Sequence, residues 1–87
     1  MNKKMYKYGI EDYLYSLNVM EYRKAVKLIP EILGIALNTF QNYRKILIDD
    51  SQDIPYEKVV MMEKLFDLNP GTLTKNKFEV KSLKELF

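Results

Sequence analysis

The stretch "LGIALNTFQNYRK", Leu33–Lys45, gathers the side chains best suited to meeting a partner. Asn38, Gln41, Asn42 and Lys45 recur at helical intervals, which places them on one face of a helix. Each side-chain amide carries both a donor and an acceptor, so such a face can pair with the polar edges of a ligand such as a nucleic acid. The same stripe also fits an ordinary solvated face, as found on most surface helices. Leu37, Thr39 and Arg44 flank it. Leu33, Ala36, Phe40, Tyr43 and Leu47 step by three and four on the opposite side, and this spacing predicts that they are buried.

Other chemistry has little to work with. The 87 residues include no cysteine and no histidine, which removes disulfides, thiolate metal sites and the usual general base near neutral pH. The remaining Asp, Glu, Lys and Tyr form no recognisable constellation, so no catalytic residue, metal or cofactor is expected, and the chain is not read as an enzyme. Asp49, Asp50 and Asp53 cluster, but without the glycine and terminal glutamate of a calcium loop they read as a solvated loop. Seven tyrosines could stack on single-stranded bases. Tyr22, Tyr43 and Tyr56 fit better as core or boundary residues at helical spacing, whereas Tyr6, Tyr8, Tyr13 and Tyr15 are freer and could form a dimer contact.

Length allows one small domain, and 47% hydrophobic with 30% charged residues is the composition of a folding chain. No apolar run is long enough to span a membrane, and no apolar signal segment follows the basic start, so a cytoplasmic protein without membrane attachment is expected. Net charge is only +2, but it is unevenly distributed. The start "NKKMYK" holds three lysines and no acid, residues 20–48 carry +3, and the segment from Lys75 onward carries +2. Asp49, Asp50, Asp53, Glu57, Glu63 and Asp67 lie between, which predicts a basic face and an acidic one.

The elements that would position the stripe can be read in order. Residues 1–9 form a basic arm, loosely held or an edge strand through Met5, Tyr6 and Tyr8. A short helix, "IEDYLYSL", follows. Asn18 then caps "VMEYRKAVKLI", with Val19, Tyr22, Val26 and Ile29 on one side and Arg23, Lys24 and Lys27 on the other. Pro30 reads as the start of a brief new helix, "PEILG", ended by Gly34. The stripe-bearing helix spans Ala36 to Ile46, so a short helix, a glycine turn and a second helix make a helix-turn-helix geometry. After the polar loop "IDDSQD", Pro55 opens "PYEKVVMMEKLFDL" as its first residue with Asp53 or Ile54 at the cap, and "NPG" ends it. Val59, Met62 and Phe66 on one side, and Met61, Leu65 and Leu68 on another, predict contact with more than one neighbour. In the tail a short helix is expected near Ser82 to Leu86, and Phe78 and Val80 could form a strand. The fold class is thus all-α: a helix-turn-helix domain of four to five short helices over residues 10–75, with an extension over 76–87 that could be a short helix or a dimer contact, to which the surplus apolar residues of the fourth helix and of the tail, ending "LKELF", could contribute.

With "ILGIALNTFQNYRK" and "DIPYEKVVMMEKLFDLNPGTL" read together, the sequence resembles the phage repressor and Cro-like, or XRE-like, helix-turn-helix family over roughly Met20 to Leu73. Leu33, Gly34 and Ile35 match its leucine-glycine-aliphatic turn, and Phe40 and Tyr43 match buried hydrophobes of its recognition helix. Pro30 stands where the family usually has a small alanine, and Ala36 replaces its capping serine or threonine. The resemblance implies that the third helix enters the DNA major groove. Asn38, Gln41 and Asn42 would then read bases, with Leu37 or Thr39 against a thymine methyl, because Asn and Gln pair bidentately with adenine. Arg44 and Lys45 would hold phosphates, joined by Arg23, Lys24 and Lys27. The expected partner is double-stranded DNA, bound by a homodimer at two half-sites, as for a regulator of phage or mobile-element type. Leu37 on the reading face and the acidic loop nearby suit an alternative, an adaptor or antitoxin-like module that grips a protein partner.

Overall fold

The computed structural model describes residues 5–76 and 78–87. Lys3 and Lys4 of the basic arm, and Lys77 of the extension, lie outside the described residues. The described chain is all-α, with helices α1 (Ile10–Tyr15), α2 (Val19–Leu33), α3 (Leu37–Lys45), α4 (Tyr56–Leu65) and α5 (Leu83–Leu86). α2 is the central rod, about 22 Å long, and it packs against α1, α3 and α4. It starts where Asn18 Oδ1 accepts the Glu21 N–H at 2.8 Å and Glu21 Oε1 accepts the Asn18 N–H at 3.2 Å, a reciprocal capping box. Its buried side carries Ile29, Pro30 and Leu33. Val19, expected on that side, is exposed, because it sits at the free first turn.

Pro30 does not start a new helix. α2 runs through it to Leu33, so the expected break between "VMEYRKAVKLI" and "PEILG" is absent. A proline here removes one helical hydrogen bond, to the Val26 carbonyl. Burial of the ring and a well-satisfied helix end offset that loss. Gly34 adopts φ 69°, its N–H donates to Glu31 O at 3.1 Å, and the Ile35 N–H donates to Pro30 O at 3.0 Å. These paired bonds form a Schellman turn, which requires the left-handed conformation glycine accepts freely. Lys58 of α4 adds its ammonium to the Leu33 carbonyl at 2.6 Å, placing a cation at the negative end of α2.

α3 begins one residue later than its spacing predicts, with Ala36 in the capping position and no side-chain cap. Phe40, with no exposed surface, and Tyr43 anchor the helix in a core shared with Ile10, Leu14, Leu33, Met62 and Leu73. Truncating a buried Phe such as this to Ala costs about 3–5 kcal/mol. Ala36 and Leu47, expected on the buried face, are exposed and half-buried respectively, since each lies just beyond the helix that would have turned it inward.

α4 is entered through Pro55, which occupies the cap itself and not the first helical position, and Ile54 is buried beside it. Met62 and Phe66 face the core, and Tyr13 stacks on Phe66 at 4.0 Å. Tyr56 is exposed, contrary to its expected boundary role, because it opens the helix on the solvent side. Glu63 is buried on α4, and its Oε2 accepts the N–H groups of Gly71 at 2.9 Å and Leu73 at 3.1 Å, folding the "NPGTL" turn back onto the helix.

Residues 5–9 are not loose. Tyr6 bridges to Leu47 and Tyr8 to Thr74 as isolated antiparallel pairs, so the segment is held between two loops without forming a strand of its own. Lys7 and Tyr8 are buried. The Lys7 ammonium donates to Asp50 O at 2.5 Å, Gln52 O at 2.8 Å and Asp53 Oδ1 at 2.9 Å, so all three of its hydrogens are used on the acidic loop. Tyr8 Oη accepts the Ile54 N–H at 3.0 Å. In the extension the expected short helix is present as α5, with Ser82 as its cap, while Phe78 and Val80 lie in irregular chain and every residue from Phe78 onward is exposed. Among the described residues no helix is long and apolar enough to cross a membrane.

Candidate nucleic-acid interface

With Phe40 and Tyr43 turned inward, α3 presents Asn38, Asn42 and Lys45 to solvent. At about 100° per residue these three span only about 60° of the helix surface. They form one strip of two amides and one ammonium. Leu37 stands beside it at the start of the helix, 51% exposed, and Thr39 and Gln41 are half-buried at its two edges. Gln41 turns its Oε1 to Arg44 Nη1 at 2.9 Å, which leaves its amide nitrogen as the outward polar group. The structure thus brings Leu37, Asn38, Gln41, Asn42 and Lys45 together, with Thr39 on the far edge.

Arg44 departs from its expected place. Its side chain is drawn inside, where Nε and Nη2 grip the two oxygens of Glu11, Nη2 also donates to Tyr22 Oη at 2.8 Å, and the guanidinium lies 5.6 Å from the Tyr22 ring centre. Burial works against its charge, but the hydrogen bonds to Glu11 and Tyr22 and the Glu11 carboxylate outweigh that, and its pKa is raised. Its positive charge is compensated within the domain. Arg44 therefore ties α3 to α1 and α2 and does not reach outward for a phosphate. Beside it Tyr15 stacks on Tyr22 at 6.4 Å, and its phenol pKa is raised, first by a hydrogen bond with Glu11 and then by that carboxylate's charge.

Sequence reasoning missed Glu11, because 33 residues separate it from Arg44. A signal for Arg44 existed, since it follows Phe40 by one helical turn and so lies about 40° from the most buried side chain of α3. Lys7, expected in a loosely held basic arm or an edge strand, likewise finds its partners 43 to 46 residues away.

On α2, Arg23, Lys24 and Lys27 are all exposed, as expected. Ala25, Leu28, Ile29 and Ile32 border a groove shared with Tyr13 and Phe66, so that flank of α2 faces α1 and α4. Tyr22 meets Arg44 on the flank turned to α3. By helical rotation Arg23 lies about 100° and Lys27 about 140° from Tyr22, on the solvent side of α2, with Lys24 about 60° farther round. Lys45 within the strip is suited to a polyanion whose edge groups the amides could pair with. No protein-family model, curated protein or solved structure matches the chain.

Proposed function

We propose that the chain is a sequence-specific double-stranded DNA-binding protein, a cytoplasmic transcriptional regulator of phage or mobile-element type, that acts without catalysis by laying α3 in the major groove. The observation that carries this reading is the exposed strip of Asn38, Asn42 and Lys45, opposite Phe40 and Tyr43 on α3. Asn38 and Asn42 are the adenine readers, and Gln41 contributes its amide nitrogen. Leu37 and Thr39 lie where a thymine methyl can be met, and Lys45, Arg23, Lys27 and Lys24 hold phosphates. A single module of this size covers a small interface, so two copies on two half-sites complete the reader.

Selection against random duplex DNA followed by salt titration tests this. Four phosphate contacts per copy give a slope of log affinity against log salt near −3.6 per half-site. Asn42→Ala removes an exposed side chain without touching the core, and it costs about 1–3 kcal/mol on the selected site while non-specific binding is unchanged. Binding weaker than micromolar at low salt, or independent of salt, refutes the reading.

A second reading rests on Leu37, whose half-exposed side chain at the head of α3 suits a protein partner. There Leu37→Asp abolishes capture of the partner, and Asn42→Ala leaves any residual DNA association as it was.

A further inference from the structure

The extension carries an unusual concentration of uncovered apolar side chains. Phe78 is 80% exposed, Val80 84%, Leu83 68%, Leu86 62% and Phe87 93%. Leu83, Leu86 and Phe87 stand at i, i+3 and i+4, so they share one face of α5, with Lys84 and Glu85 away from it. Ser82 Oγ accepts the Glu85 N–H at 3.3 Å and caps this single turn. A four-residue helix is not stable alone in water. A capped turn with a continuous apolar stripe needs a surface to lie on.

The domain offers one of matching size. Leu28 and Ile32 on α2 and Leu65 on α4, all exposed, wall a groove whose floor is Tyr13, Ile29 and Phe66. Its hollow measures about 130 Å³, close to the ~150 Å³ void that takes up a benzene molecule. It therefore accepts a phenyl ring. The chain's own tail does not fill it: every residue from Phe78 to Phe87 is exposed, and the radius of gyration is 14.8 Å, against roughly 12 Å for a compact chain of this length.

We infer that two copies of this chain dimerise by reciprocal exchange of residues 78–87, each tail lying in the α2–α4 groove of the other copy with Phe87, just past α5, in the hollow. Interface area selects the second copy as occupant. Two phenylalanines and three aliphatic side chains at these exposures bring roughly 400–650 Å² of apolar surface per tail. One tail on one groove, where Leu28, Ile32 and Leu65 at their exposures add only roughly 200–300 Å², buries about 600–950 Å² counting both sides, below the lower limit for a stable specific interface. Two related tails double this, to on the order of 1,200–1,900 Å², inside the standard range. The symmetric closed exchange also covers both sets of apolar residues at once, leaving no free groove to propagate an open chain of molecules. This inference stands apart from the DNA reading, since neither the groove nor the tail includes a proposed DNA contact.

Sedimentation of the full chain across the micromolar range tests it. The wild-type protein is expected to be a dimer. Leu83→Asp with Phe87→Asp alters only exposed tail positions, so the monomer fold survives by circular dichroism while the dimer dissociation constant rises at least about 100-fold. Ile32→Asp in the groove gives the same loss. Mixing the tail variant with the groove variant leaves one intact tail–groove contact, so any heterodimer is expected to be much weaker than the wild-type dimer. A wild-type protein that stays monomeric, or a dimer indifferent to the tail variant or to Ile32→Asp, overturns the proposal. DNA binding is read separately: the monomeric tail variant still shows salt-dependent association with a half-site if α3 reads DNA, so loss of that signal counts against the DNA reading and not against the exchange.

Discussion

Replacing Arg44 with methionine separates an internal tie from a phosphate contact, because the two roles predict opposite results in two measurements. The Arg44 and Glu11 side chains are 10% and 13% exposed, and the guanidinium also serves Gln41 and Tyr22. Methionine keeps most of the aliphatic packing and deletes the charge, leaving Glu11 nearly buried and unpaired. Breaking a buried pair by removing one partner costs about 3–5 kcal/mol. The slight solvent access here argues for somewhat less, about 2–3 kcal/mol. For a domain of this size that is a fall in melting temperature of roughly 10–20 °C. Total stability is expected between about 4 and 13 kcal/mol, so the variant remains folded at low temperature and its binding can be measured. A double-mutant cycle with Glu11→Gln should give a coupling of about 1–2 kcal/mol, since the second substitution removes the stranded charge. In a DNA titration, the dependence of log affinity on log salt should stay unchanged, whereas loss of a phosphate contact reduces its slope by about 0.9. A variant as stable as the wild type, or one whose salt slope falls by that amount, refutes the internal placement of Arg44.

Two further substitutions probe the frame that holds α3. Lys7→Met strands the carbonyls of Asp50 and Gln52, which now share one buried ammonium; a loss of about 2 kcal/mol is expected in urea unfolding, with faster protease cleavage within residues 49–53, and unchanged cleavage there would show that the lysine does not hold the loop. Ala36 has the extended backbone of a capping residue, φ −71° and ψ 154°, but no side chain able to cap, so Ala36→Ser should add about 1 kcal/mol and raise the melting temperature; no rise would mean that the first turn of α3 gains nothing from a cap.

Helix identity was largely legible because it depends on local rules. Asn18 followed three residues later by Glu21 is a start signal, and the structure uses both side chains. Gly34 ends α2 as its conformational freedom predicts. The spacing of Phe40 and Tyr43 placed α3 to within one residue at each end. Pro30 was misread because local propensity counts the lost hydrogen bond but not the burial of the ring between Ile29 and Leu33. Lys7 and Glu63 were illegible for another reason. Charged residues are seldom fully buried without a partner, and what compensates them is supplied by chain segments that approach only after folding: the acidic loop for Lys7, and the amides of Gly71 and Leu73 for Glu63.

The candidate site divides along the same line. Exposure of Asn38, Asn42 and Lys45 follows from the helical wheel alone, because the wheel fixes their angle once Phe40 is set in the core. The wheel also puts Arg44 about 40° from Phe40, closer to the core axis than to the polar strip. Residue type was allowed to outweigh angle, and that reverses the strength of the two signals. The angle of a side chain on a short, well-anchored helix is fixed by geometry, whereas a guanidinium goes wherever enough acceptors meet its fork. Glu11, Gln41 and the Tyr22 hydroxyl supply them on the inner side. The basic contribution of α3 to the proposed interface therefore falls to Lys45 alone, alongside the exposed Arg23, Lys24 and Lys27 of α2. Arg23 becomes the one arginine of the chain that can face a phosphate, and a charge substitution there should act on binding while leaving stability almost unchanged.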